Sequence, residues 1–180
     1  MANGRVLAAP PGHTDMFRSG AFVAEQLGTV DSAQVQPNGV DLRLEAVLEF
    51  GDRGAITKDG KQIAEREPLP ETTLESVAED SEDRIGYHLE PGGYVLQYEE
   101  EVSIPEEHVG FVLPRSSLMR NGAMLNTAVW DAGYTGRGEG LLQVHNELEL
   151  EQGARVAQLV LAAADHEGTY DGTYQGERLV

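Results

Sequence analysis

The sequence predicts an all-β fold, a jelly-roll-like β-barrel with a short N-terminal helix. Short apolar runs recur along the chain, divided by Gly- and Pro-containing turns and with little of helical period, the pattern of a sandwich or barrel. The clearest run, Val40-Asp41-Leu42-Arg43-Leu44-Glu45, alternates apolar and polar residues strictly, as a strand half buried against a core does. At 180 residues the chain is long enough for one substantial core and too short for two ordinary domains. One domain over residues 1–180 is expected.

Residues 1–15 hold a Pro-Pro-Gly turn and no period, and read as an extended arm. Met16, Phe17, Val23 and Leu27 follow at roughly helical spacing and predict a short helix ending at Gly28, so that arm and helix fill residues 1–30. Gln36-Pro37-Asn38-Gly39 is a turn, and the strand after it continues through Ala46, Val47, Leu48 and Phe50. Residues 51–84 are polar, acidic and turn-rich, with a hairpin at Asp59-Gly60. Their charge run Glu79-Asp80-Ser81-Glu82-Asp83 reads as solvated surface, and the segment is assigned no chemistry.

Beyond Pro91-Gly92-Gly93, residues Tyr94, Leu96 and Tyr98 share one strand face. Val109 to Leu113 leads into Pro114-Arg115-Ser116-Ser117 and a helical turn, Leu118 to Asn121, stopped by Gly122. An apolar strand then delivers Asp131 into Asp-Ala-Gly-Tyr, and a second strand ends in Asn146. Ala154 to Leu161 forms a further strand. The Tyr- and Gly-rich residues 168–180 are expected to be a mobile tail.

The charge balance is the most unusual global feature: 31 acidic residues against 13 basic ones, a formal net charge of −18. Such a surface repels nucleic acid and anionic membranes, whose binding depends on Lys and Arg. Lys58 and Lys61 are the only lysines. Acid-rich and lysine-poor, the chain fits concentrated salt, where screening limits self-repulsion to about 3 Å at 1 M, and a halophile's cytoplasm is the expected setting. No apolar run has the length of a membrane span. With no cysteine and five scattered histidines, disulfides, thiolate sites and a zinc centre are not expected.

The stretch from Leu113 to Asn146 concentrates the candidate chemistry. A serine at a helix start can cap free N–H groups or offer them to phosphate, and Arg115 and Arg120 add charge-assisted donors. The same residues also describe an ordinary capped turn with surface arginines, and Asp131 alone could be a hairpin corner. A triphosphate could approach so acidic a chain only where Arg115, Arg120 and a divalent cation reverse the field locally, so a need for Mg²⁺ is expected.

In order and spacing, PRSSLMRNG followed by TAVWDAGYTG resembles the superfamily of dUTP diphosphatases (dUTPases) and dCTP deaminases. QPNGVDLRL before it, and ARVAQLVL and YDGTYQGERL after it, fall in the family's order. The resemblance implies the dUTPase-type barrel, a homotrimer with sites between subunits, and hydrolysis of dUTP to dUMP and pyrophosphate with Mg²⁺. It makes Asp131 the base that activates water. Arg115, Ser116 and Ser117, helped by Arg120, become the phosphate grip, and Asp41 a metal ligand through water. Tyr134 would pack on the deoxyribose, Thr127 to Trp130, Val129 included, would read the uracil edge, and Tyr174 and Gln175 belong to a tail that closes over the nucleotide. Gln158 would touch the phosphates or the water; as a residue it equally describes a buried strand amide. Asp41 likewise describes an exposed strand carboxylate.

Deaminases of this family use a glutamate on the strand after the Asp-x-Gly-aromatic turn, and that position holds Gln143, whose amide cannot carry a proton to and fro. The run from Asp131 to Asn146 is slightly longer than the family pattern around Gly136-Arg137-Gly138-Glu139-Gly140, which leaves Glu139 as a second candidate. A dCTP deaminase, a bifunctional deaminase and dUTPase, and a non-catalytic nucleotide-binding barrel are the competing readings.

Overall fold

The computed structural model describes residues 16–74 and 84–179. The predicted arm over residues 1–15 and the charge run at 79–83 lie outside them. Helix α1 (Gly20–Ala24) precedes β1 (Val35–Gln36), the long β2 (Gly39–Phe50), β3 (Ala55–Thr57), β4 (Gly60–Gln62), β5 (Arg66–Pro68) and β6 (Thr72–Leu74). Then come β7 (Arg84–Leu89), β8 (Gly92–Tyr98), β9 (Val102–Ser103), β10 (His108–Pro114) and helix α2 (Ser116–Arg120). The chain continues through β11 (Ala123–Asn126), β12 (Thr135–Gly136), β13 (Glu139–Val144), β14 (Leu148–Glu151) and β15 (Arg155–Ala163).

The main sheet runs β10-β15-β2-β8-β13-β11, antiparallel throughout, with β1 and β5 attached to β2. Its two edges meet. The Thr127 hydroxyl, just beyond β11, donates to the Val112 carbonyl of β10 at 3.0 Å, and Gly110 and Trp130 exchange both backbone hydrogen bonds at 2.8 and 3.1 Å. The sheet therefore curls into the nearly closed barrel that the alternating runs predict. Leu42, Leu44, Leu96, Tyr98, Leu142, Leu159 and Leu161 fill its interior, all fully buried.

Two local readings change. The N-terminal helix spans Gly20–Ala24 rather than Met16 to Leu27. Met16, Phe17 and Arg18 instead extend along β15, with Arg18 N–H on the Leu161 carbonyl at 2.8 Å and Ala163 N–H on that of Met16 at 2.8 Å. Ser19 caps the helix by accepting from Phe22 N–H, and a Cβ on Gly20 would lie 1.8 Å from the Gln36 carbonyl oxygen, so close packing on the Gln36–Gly39 turn fixes where it begins. The second change is in β2, where Val40, Asp41 and Leu42 are all buried. The polar face expected for Asp41 is roofed by Arg115 and Arg155, which arrive from distant parts of the chain.

Gly110 lets the barrel edges close. A Cβ there would meet Ile104 Cδ1 at 2.8 Å and Trp130 Cβ at 3.2 Å. Gly110→Ala is expected to cost about 1–3 kcal/mol through overpacking and to displace the Trp130-Asp131 segment. Thermal unfolding checks the first effect, and Trp130 fluorescence, from the chain's one tryptophan, the second.

Candidate functional site

Past the Gly110–Trp130 pairing the chain turns at Asp131 to Tyr134, with Gly133 at φ +82°. That turn leaves Asp131 exposed and buries Tyr134. Both line a cavity of about 210 Å³, shared with Val129, Trp130, Glu139, Tyr170, Tyr174 and Glu177 and with Ile63 and Arg66 of the 51–74 excursion. Its aromatic wall is continuous: Trp130 and Tyr134 meet edge to face at 5.2 Å, and Tyr134 and Tyr170 at 5.6 Å. Burial drives the Tyr134 hydroxyl far above its ordinary pKa, with Glu177 and Tyr170 adding to the effect. The ring thus stays neutral and serves as a packing surface.

Around this cavity Arg66 pairs with Glu139, whose other oxygen accepts from the Gln97 amide at 3.3 Å. The Lys61 ammonium sits 4.8 Å from the centre of the Tyr174 ring. Three carboxylates, those of Asp131, Glu139 and Glu177, face one lining guanidinium. This excess of negative charge disfavours a polyanion and suits a neutral base and sugar. The volume also falls below the roughly 300–1,000 Å³ of pockets that enclose a whole drug-sized ligand.

The second cluster lies on the outer side of β2 and β15. Register sets Gln158 opposite both Asp41 and Leu113, so Arg115, just past β10, reaches the Asp41 carboxylate at 2.8 Å. Arg155 approaches the same oxygen at 3.3 Å, and the Gln158 amide donates to the other at 3.4 Å. Burial pushes the Asp41 carboxyl up from its usual value, while Arg115, Arg155 and Gln158 pull it down. Asp41 is 1% exposed and wholly engaged, so it presents no open face to a hydrated cation. Among the described residues no group of His, Asp and Glu could hold a metal ion. The residues present do not fit a Mg²⁺ site.

Ser116 and Ser117 are exposed in the first turn of α2, but neither caps it. The cap position falls on Arg115, whose side chain makes no capping bond, because the helix starts at Ser116 itself. Arg120 is exposed in its last turn, and Gly122, at φ +78°, stops the chain there as predicted. The grip residues Arg115, Ser116 and Ser117 are absent from the Asp131 cavity. Between the two clusters runs a shallow groove along the β10 and β11 edges, from Val129 and Ala128 to Leu113 and Pro114.

Residues 168–179, expected to be mobile, lie docked against their own chain. Tyr170 N–H reaches the Ala132 carbonyl at 2.7 Å, Gly176 N–H that of Thr135 at 2.8 Å, and Arg137 N–H that of Glu177 at 2.9 Å. The Gln175 side chain accepts from Thr135 N–H at 3.2 Å and donates to the Gly133 carbonyl at 3.0 Å. Sequence reasoning overlooked Arg66 and Glu177 as lining residues, and it offered Trp130 for its backbone rather than its ring. Glu177 stood inside the C-terminal motif, but Arg66 reaches the cavity only through long-range pairing, Phe50 opposite Arg66 in β2 and β5, which no local signal announces.

A barrel whose closing edge carries an aspartate and an aromatic cavity, flanked by an Arg-Ser-Ser turn, defines a nucleotide-processing class. The chain belongs to the dCTP deaminase-like family, whose pattern matches residues 12–164. Within the wider dUTPase and dCTP deaminase superfamily it is closely related to archaeal dUTPase homologues. It is 58% identical over 163 residues to the "Probable deoxyuridine 5'-triphosphate nucleotidohydrolase" of Halobacterium salinarum, covering 91% of this chain and 96% of that one. The protein of the same name in Aeropyrum pernix is 42% identical over 171 residues, 91% of this chain and all of the relative. The "Deoxyuridine 5'-triphosphate nucleotidohydrolase" of Methanocaldococcus jannaschii is 36% identical over 148 residues, 82% and 90% of the two chains. The fold is also that of 2'-deoxycytidine 5'-triphosphate deaminase from Agrobacterium tumefaciens, with TM-score 0.53 at 18% identity, over 82% of this chain and 48% of that one.

Docking the tail buries the Glu177 carboxyl and raises its pKa above 4.5, against the pull of Arg66. The docked form therefore holds the proton more tightly: docking is favoured most below pH 4.5 and weakens as pH rises through the raised value. Glu177→Gln is expected to remove this dependence and to slow amide exchange at Gly176 relative to wild type at neutral pH. Equal exchange in the two proteins would contradict it.

Proposed function

We propose that the chain hydrolyses dUTP to dUMP and pyrophosphate, working as a homotrimer in which each site draws on two chains. The base and deoxyribose enter the Asp131 cavity, and the triphosphate follows the β10–β11 groove toward the Arg115-Ser116-Ser117 turn of a neighbouring copy. The observation that carries this reading is the separation of the two clusters. The carboxylate and sugar-sized cavity stand apart from the arginine and serines suited to phosphate, so one chain holds only half of what the reaction needs. The names of the relatives support the substrate. Leu113, Met119, Met124, Val129 and Leu141 are exposed on and around this edge, an apolar surface that a second copy would cover.

In the reaction Asp131 orients a water and accepts its proton as the oxygen attacks the α-phosphorus. The new P–O bond forms as the bond to the bridging α,β-oxygen breaks, and pyrophosphate leaves. Catalysis rests on positioning and charge stabilisation. Tyr134 packs on the sugar and excludes a 2'-hydroxyl, and backbone groups of Thr127 to Val129 face the uracil. Ser116, Ser117 and Arg120 hold phosphate oxygens. Gln158 orients Asp41 and through it Arg115, while Gln175 fixes the turn that carries Asp131 and Tyr174 covers the cavity. The family implies Mg²⁺, which would supply charge neutralisation to a bound triphosphate, and no residue of this chain is assigned to it. The cytoplasm, where dUTP occurs, is the proposed setting.

Deamination is the weaker reading. Gln143 accepts a bond from the Asn126 amide at 3.1 Å and is not among the residues of the Asp131 cavity. In molar KCl with Mg²⁺, dUMP and pyrophosphate are expected from dUTP, with dCTP intact. Asp131→Asn should lower kcat by roughly 10²–10⁴-fold without changing Tm, since Asp131 is exposed. Undiminished turnover in that variant would remove Asp131 from the mechanism.

A further inference from the structure

We propose that Arg66 and Glu139 form a side-chain pair that reads the uracil edge and rejects cytosine. The inference rests on the reading of the cavity as the base and sugar site of a dUTP hydrolase, and it gives the 51–74 excursion a function.

The placement comes from two strands. Alternation along β13 puts Glu139, Leu141 and Gln143 on its outer face, and of these only Glu139 belongs to the Asp131 cavity. Arg66 opens β5, where pairing with Phe50 of β2 folds the excursion back and brings its guanidinium into contact with the Glu139 carboxylate. The Gln97 amide, donating to the second carboxylate oxygen at 3.3 Å, fixes the orientation. The side chains are only 26% and 21% exposed. An ion pair gains little from such shielding, because desolvation offsets its attraction, so stability alone does not account for an opposed pair set in the wall of a cavity.

The chemistry of the pair is directional. A guanidinium only donates and an ionised carboxylate only accepts. Uracil presents the O4 acceptor beside the N3–H donor, while cytosine presents the 4-amino donor beside the N3 acceptor. Arg66 on O4 and Glu139 on N3–H therefore match uracil at both atoms. Against cytosine, donor faces donor and acceptor faces acceptor. In a cavity walled by aromatic rings such mispairing is costly, and sites that hydrogen-bond a substrate group reject analogues lacking it by up to about 10⁴–10⁵-fold. Asp131 stays with the water, and the backbone of Thr127 to Val129 with the remaining edge of the base.

The test compares full-length wild type, Glu139→Gln and Arg66→Gln in molar KCl with Mg²⁺. kcat/KM for pyrophosphate release is measured with dUTP and with dCTP, and dUMP and dCMP are titrated by Trp130 fluorescence. A glutamine at 139 keeps the shape but can donate or accept. It is expected to raise KM for dUTP by roughly 10–100-fold, to leave kcat nearly unchanged, and to cut the dUTP:dCTP preference at least tenfold. Arg66→Gln should relax the preference in the same direction. If both variants lower the two substrates in equal proportion, the pair is only a brace for the excursion and the proposal is overturned. A wild-type chain that hydrolyses neither nucleotide would overturn the hydrolase reading, and the titrations would still decide the pair. A dUMP preference lost in Glu139→Gln supports it, and no preference in wild type overturns it.

Discussion

The buried carboxylate of Asp41, held between the guanidiniums of Arg115 and Arg155, is the interaction on which the arrangement of the site depends. It joins the start of β2, the end of β10 and the start of β15, three segments far apart in sequence and adjacent in the sheet. Burying a lone carboxylate would cost several kcal/mol, so the strands can place Asp41 inside only by delivering both arginines to it. In doing so they turn Arg115 onto the outer surface beside Ser116 and Ser117, away from Asp131. The division of the site into two halves is thus a consequence of how one buried charge is satisfied.

The second half follows from barrel closure. The paired bonds between Gly110 and Trp130 bring the Asp131 turn to the edge of β10, and the tail then docks on that turn, with Arg178 reaching the barrel strands at Tyr98 and Glu45. Its anchors are backbone bonds at Ala132, Thr135 and Arg137, so Tyr170 and Tyr174 reach the cavity of their own chain. In so acidic a protein the placement of the few cations carries information. Lys61 and Arg66 reach from the excursion to Tyr174 and Glu139, and Arg66 with Ile63 adds one wall to the cavity while residues 51–63 stay exposed to solvent.

Much of this was legible in the sequence wherever the determinant is local. The strand at Val40–Glu45, the Asp59-Gly60 hairpin and the Gly122 stop all appear where the residues place them. Asp131 and Tyr134 could be read as neighbours because one tight turn carries both. The burial of Asp41 could not, since alternation assigns it to a polar face and its cover comes from residues more than 70 positions away. The α2 helix starts at Ser116, two residues before the Leu118 that the sequence suggests, so the cap falls on Arg115 and both serines are free from capping. Arg66 was invisible because nothing near it in sequence distinguishes it from other charges of the excursion. The docked tail eluded composition, which reports flexible residues but not backbone partners.

The central claim, that a working site combines the Asp131 cavity of one chain with the Arg115 turn of another, is tested most directly by subunit complementation. Ser116→Ala/Ser117→Ala and Asp131→Asn chains, each inactive alone, are co-expressed so that they assemble together; both serines are exposed, so the Asp41–Arg115 pair stays intact. In a symmetric oligomer with shared sites, random mixing of equal amounts restores both wild-type halves to about a quarter of the sites, and dUTP hydrolysis should return to that extent. If the mixed assembly stays as inactive as either variant, each site lies within a single chain and the account of a divided site is wrong.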